Sequence, residues 1–170
     1  MNDFSVPSRH VCRKLVLGLV AGAISYVLML SLHGPWEEII AATLIGSVVG
    51  IADLSPARIV VGSTACATGW LLGSMLFGVW MELGVGAWLV AAAFLGAAFG
   101  AYRRWWMAIP AMLLGLVAGL IAELSRYLTV LVTSLRGVDM QLLLLLSAGL
   151  LLNVVAAIVA PPFRKANAGS

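Results

Sequence analysis

Few residues in this 170-residue chain have the type and setting to do chemistry, and they stand apart from one another. Asn153 is the only carboxamide deep inside an apolar run. A buried amide must find a hydrogen-bond partner or cost free energy. Two roles fit it: an interhelical hydrogen bond or a contact to a solute. Glu123 and Arg126 stand at i, i+3, so on a helix they can pair. They fall near the outer boundary of an apolar segment, where a surface ion pair or a substrate site would use them. Asp53 and Arg58 flank a turn and read as a capping pair.

Other reactive types offer less. His10 and His33 are 23 residues apart, at opposite ends of one apolar run, so one chain cannot bring them to a shared metal or haem. Cys12 and Cys66 are too few for a disulfide framework, and no CxxC or His/Cys cluster points to a metal. Ser25, Thr43, Ser47, Ser63, Thr64, Thr68 and Ser74 lie in apolar runs, where hydroxyls bond back to their own helix's carbonyls. No nucleophile has a base beside it. The expectation is a chain with no catalytic residues, no cofactor and no metal.

Glycine is placed more regularly than the polar residues. It recurs at a spacing of four as Gly18/Gly22, Gly46/Gly50, Gly69/Gly73, Gly96/Gly100 and Gly115/Gly119, each pair in a different apolar run. With 18 glycines in 170 residues, random placement gives about two such pairs; there are five. In a bilayer this spacing puts both glycines on one helix face, where two backbones approach closely. Gly62, Cys66, Gly69 and Gly73 form the longest small-residue face, the best candidate for docking a separate partner. Asn153 stands four residues after Gly149, where the other helices have their second glycine.

The elements that carry these residues are apolar helices. The chain is 62% hydrophobic and 10% charged, with a mean hydropathy of +1.08. A soluble domain carries about 25% charged residues, and a soluble fold this apolar would expose large greasy patches. The net charge of +3 and pI near 9.2 do not indicate nucleic acid, because the basic residues sit singly or in pairs at the ends of apolar runs. Charges so placed set membrane orientation.

Six spans are expected: 15–32, 39–54, 56–81, 84–102, 107–122 and 138–160, the fifth continuing as a mixed segment to Arg136. They divide the chain into a cytoplasmic tail (1–14), a transmembrane domain (15–160) and a second tail (161–170). The first run resembles a signal peptide, but Ala21-Gly22-Ala23 comes too early in it for cleavage. Pro35 and Pro56 open helices, with Ser55 as an N-cap. With both termini inside, Arg9, Arg13, Lys14, Arg58, Arg103, Arg104, Arg164 and Lys165 face inward, and only Arg126 and Arg136 face outward. That bias favours cytoplasmic termini in a membrane such as the bacterial cytoplasmic membrane.

The sequence also repeats. Ala41–Gly50 aligns with Ala91–Gly100 at an offset of 50, and LGLVAG occurs at both Leu17–Gly22 and Leu114–Gly119. Together these suggest three helical hairpins, a device of many transporter folds. Two functions follow. The first is a non-catalytic integral membrane subunit that packs against a membrane-protein partner or a second copy. The second is a permease, or the substrate-binding membrane component of a transporter, for a neutral or apolar solute. Carriers coupled to ions need ionisable groups in the membrane, and here none is central.

Overall fold

The computed structural model describes residues 5–32, 36–78, 86–133 and 140–159, with side chains from Val11 onward outside 77–85 and 126–141. Among the described residues the chain is all helical: α1 (Ser5–Ser31), α2 (Glu37–Ala52), α3 (Pro56–Gly78), α4 (Ala87–Arg103), a 3-10 turn over Trp105–Met107, α5 (Ala108–Thr133) and α6 (Met140–Val159). Four stretches are long and apolar enough to cross a membrane: Val11–Ser31, Pro56–Leu76, Trp105–Ser125 and Leu142–Val159. The helices α2 and α4, at 16 and 17 residues, are shorter.

The helices form a closed ring. Each packs on the next, and α6 returns to α1. Inside the ring α6 also touches α2 and α4. One continuous apolar cluster runs through the bundle and includes Ile45, Val49, Leu95, Phe99, Leu145 and Leu152. None of these six exceeds 2% exposure, so the middle is packed. The outside is also apolar. Val16, Val27, Val60, Leu76, Leu113 and Ile158 all face outward, as a lipid-facing surface requires.

Backbones approach most closely where there is no Cβ. A Cβ at Gly46 would collide with the carbonyl of Gly62, and one at Gly50 with the backbone of Ile59. The same pattern joins Gly96 on α4 to Ala111 on α5, and Gly100 to Met107 in the 3-10 turn that precedes α5. It also joins Gly149 on α6 to Gly18 on α1. On α3 the small residues divide between two neighbours. Gly62 and Cys66 meet Gly46 of α2, while Gly69 and Gly73 lie against Ala91 and Ala87 of α4, at 2.8 and 2.7 Å from a built Cβ. The face expected to dock a separate partner is therefore covered within the chain. On the far side of α4, Gly115 and Gly119 meet Ala92 and Leu89.

Helix boundaries differ from expectation at three places. First, α1 begins at Ser5 and runs through the segment expected as a tail. Pro7 falls in its first turn, where the missing N–H costs nothing. Second, α4 begins at Ala87 rather than Gly84, after Gly86 in a left-handed conformation (φ 108°). Third, α2 ends at Ala52, and the turn that follows has glycine-like geometry without glycine. Leu54 has φ 52°, its N–H bonds to Ile51 O at 3.1 Å, and Ser55 N–H bonds to Gly50 O at 3.0 Å. These two bonds make a Schellman turn, in which the left-handed position usually holds glycine.

Candidate functional site

Charge collects at the end of the bundle where α2 gives way to α3, called here the basic end. Asp53 caps α2 and Arg58 lies in the first turn of α3, and the two form an ion pair. The pairing expected across this turn is present, but it has a third member. Lys14 reaches over from α1, with Nζ 3.1 Å from both carboxylate oxygens of Asp53. The side chains are 0% (Lys14) and 5% (Asp53 and Arg58) exposed. Two cations thus share one buried carboxylate, tying the third turn of α1 and the start of α3 to the end of α2. Sequence reading missed Lys14 because it lies 39 residues from Asp53. The available signal was level: in an antiparallel hairpin Lys14 and Asp53, nearly equal numbers of residues from the α1–α2 connection, lie at the same height.

Exposed Arg13 adjoins Lys14 at this end, and two arginines at the end of α4 behave differently from the cluster. Arg103 donates to Val159 O of α6 at 3.4 Å. Arg104 follows in extended conformation, with its guanidinium 5.0 Å from the centre of the Trp106 ring. Trp105 and Trp106 meet edge to face at 6.3 Å and are exposed. Beside them an open groove of about 490 Å³ runs between α3 and α4. Val61, Thr64, Ala65, Phe94, Ala98 and Ala101 line it, and Ala108 of α5 borders its mouth.

Asn153 is fully buried on α6. Its amide nitrogen donates to Gly149 O at 2.8 Å, inside its own helix and not to a neighbour. A Cβ at Gly18 would lie 2.9 Å from that nitrogen, so the amide sits in the α6–α1 crossing. Its oxygen has no hydrogen-bond partner among the described residues. In place of the interhelical bond expected of this residue, the amide makes a helical back-bond to Gly149 O, one turn earlier.

Glu123 lies buried on α5 toward the opposite end. Its Oε1 accepts the backbone N–H of Gly86 at 3.1 Å. Gly86 is the N-cap of α4, so the carboxylate sits where a helix's positive end favours an anion. The other half of the expected pair, the Arg126 side chain, lies outside the described residues. So do the side chains of His10 and His33. Cys66 is buried and Cys12 exposed, and both are free thiols.

The hydroxyls Thr43, Ser47, Ser63, Thr64 and Ser74 bond to carbonyls three or four residues earlier, as expected of apolar helices. Ser25 differs, being fully buried with no partner for its oxygen among the described residues. One hydroxyl pair does cross between helices, Ser125 to Ser147 at 2.8 Å.

No family matches the chain, and neither a curated relative nor a solved structure similar to it is found. Its function therefore rests on the geometry above.

Proposed function

We propose that the chain is a non-catalytic integral membrane subunit that packs against, or stabilises, a partner in a membrane complex. The observation that supports this most is the packed apolar middle. Ile45, Val49, Leu95, Phe99 and Leu145 occupy the place where a carrier would need a polar path. The buried charges lie toward the ends, in the Lys14–Asp53–Arg58 cluster and on Glu123, with no run of polar groups joining them among the described residues.

In this reading all six helices cross a bacterial cytoplasmic membrane, with both termini in the cytoplasm. At 16 and 17 residues, α2 and α4 are ~24–26 Å long, short of the ~30 Å hydrocarbon core. They stand upright as members of the ring, and the longer α1, α3 and α5 present most of the lipid-facing surface. The basic end is the cytoplasmic end. The bundle is a threefold repeat in which α2 closes on α3, α4 on α5 and α6 on α1 through small residues. A carrier for a neutral solute is the second reading, and the buried oxygen of Asn153 is what favours it.

Topology is tested by single cysteines in a background lacking Cys12 and Cys66. Trp36→Cys should react with an impermeant thiol reagent from outside, and Leu54→Cys should not. Reaction of Leu54→Cys alone would overturn the orientation. The subunit role is tested by photo-crosslinking in cells from five exposed positions: Val16, Val60, Leu72, Val117 and Ile158. A discrete protein adduct confined to neighbouring positions is expected. Lipid adducts at all five, with no protein adduct, would contradict the reading.

A further inference from the structure

We propose that the groove between α3 and α4 holds an acyl chain of an anionic phospholipid, with the lipid phosphate at Arg104. The groove's length selects a lipid over a helix. It is lined over residues 61–68 of α3 and 94–101 of α4, about two turns, or ~10 Å at 1.5 Å per residue. That is less than one leaflet's half of the ~30 Å core. A partner helix crossing the membrane would need a seam through the whole thickness. An acyl chain enters from one side and stops within its own leaflet. Phe94 stands at the deep end and is outward-facing at 39% exposure, so it closes the groove there.

The mouth supplies the charge. Ala101, near the end of α4, and Ala108, at the start of α5, line one end of the groove, and the connection through Arg104, Trp105 and Trp106 joins these two without itself lining it. At this end Lys14 and Arg58 are held by Asp53, and Arg103 by the carbonyl of Val159. Arg104 has the Trp106 ring as neighbour and, among the described residues, no carboxylate. A guanidinium over an aromatic face keeps its N–H fork open for a phosphate. Trp105 is 81% exposed, as befits a ring at headgroup level. The walls are mostly alanine, giving a slot with few side chains to move aside. This inference needs the bundle to sit in a bilayer. It does not depend on the subunit role.

The test is titration of the purified full chain in mild detergent, read by native mass spectrometry. Three probes are compared: phosphatidylglycerol, phosphatidylcholine with identical chains, and free glycerol phosphate. The expected result is about fivefold tighter binding of phosphatidylglycerol than of phosphatidylcholine, the effect of one basic residue on an anionic lipid. Glycerol phosphate should neither bind nor compete. Arg104→Gln should remove the preference and Arg104→Lys should keep most of it. Ala98→Leu with Ala101→Leu should weaken both lipids at least tenfold at unchanged helicity. If that double variant fails to fold, Thr64→Leu fills the slot from the exposed side of α3. Equal binding of the two lipids, or full binding by a folded slot-filling variant, would overturn the proposal. Competition by glycerol phosphate, or a dimer that slot filling dissolves, would assign the face to a free anion or a second copy and overturn it as well.

Discussion

The α4–α5 and α6–α1 crossings use the same plan with one difference. Gly96 and Gly100 bring α4 onto α5, and Gly149 with Asn153 bring α6 onto α1. At the second position of the pair, one crossing has a hydrogen atom and the other an amide. The α4–α5 crossing is closed by contact alone: Met107 O and Ala111 Cβ occupy the space a Cβ on Gly100 would take. The α6–α1 crossing admits a polar side chain that bonds back to its own helix and leaves one oxygen buried without a partner. Close packing therefore does not require glycine twice. That holds for α6 alone, where Gly149 lies against Gly18 and an amide takes the next turn; α1 brings both of its glycines, Gly18 against Gly149 and Gly22 against the Leu145 carbonyl. The α2–α3 crossing has both glycines and, beyond them, the Lys14–Asp53–Arg58 cluster.

Four substitutions, in order of expected effect, would break or sharpen this comparison. Gly100→Leu is the most severe. Its side chain would strike the Met107 carbonyl of the 3-10 turn and the Ala111 Cβ of α5, so the turn and the start of α5 must move away from α4. A loss of about 3 kcal/mol or more is expected, beyond the usual overpacking range, while Leu44→Ala should cost less. Wild-type thermal stability of Gly100→Leu in detergent would show that the crossing is not tight. Next is Asp53→Asn, which leaves two buried cations without their shared anion. Removing one partner from a buried pair costs about 3–5 kcal/mol, and the low end is expected because the amide oxygen can still accept. Lys14→Met should cost much less, since it leaves a neutral Asp53–Arg58 pair. If Lys14→Met proved the worse of the two, the cluster would not be organised around Asp53.

The third is Asn153→Leu. It removes a bond internal to α6 together with the unpartnered oxygen, and membrane hydrogen bonds average about 0.6 kcal/mol. Chemical denaturation should place it within about 1 kcal/mol of wild type. A loss of several kcal/mol would mean that the amide ties α6 to α1 after all. The smallest effect is expected at Leu54→Gly. A left-handed residue other than glycine carries about 1–2 kcal/mol of strain, and glycine's added freedom when unfolded offsets about 0.5–1 of it. A net gain of about 0.5 kcal/mol should follow. A loss would show that the Leu54 side chain itself anchors the turn.

The parts of the fold legible in sequence were those set by composition and backbone chemistry. Apolar runs gave the helices, Ser55-Pro56 marked the start of α3, and the glycine spacing marked where backbones meet. The parts that were not legible depend on partners distant in sequence. Glu123 reads as half of an i, i+3 pair, yet it accepts from Gly86, 37 residues away, because the start of α4 presents a free N–H at its level. Lys14 reads as an orientation signal, yet it completes an ion cluster. Asn153 was legible as a buried amide, but its bonding was not, since the competition between Gly149 O and a neighbouring helix is decided by packing. The groove could not be read at all, because Ala65 and Ala98 are ordinary helix residues until α3 and α4 lie side by side.

The central claim is that the bundle has a packed middle and moves no solute. The most direct measurement is solute permeability of liposomes containing the purified chain alone, followed by stopped-flow light scattering with a graded series of neutral solutes. Rates equal to those of protein-free liposomes are expected for wild type and for Asn153→Leu. A solute-selective flux in wild type, abolished by a folded and monodisperse Asn153→Leu, would contradict the claim and make the amide a transport contact.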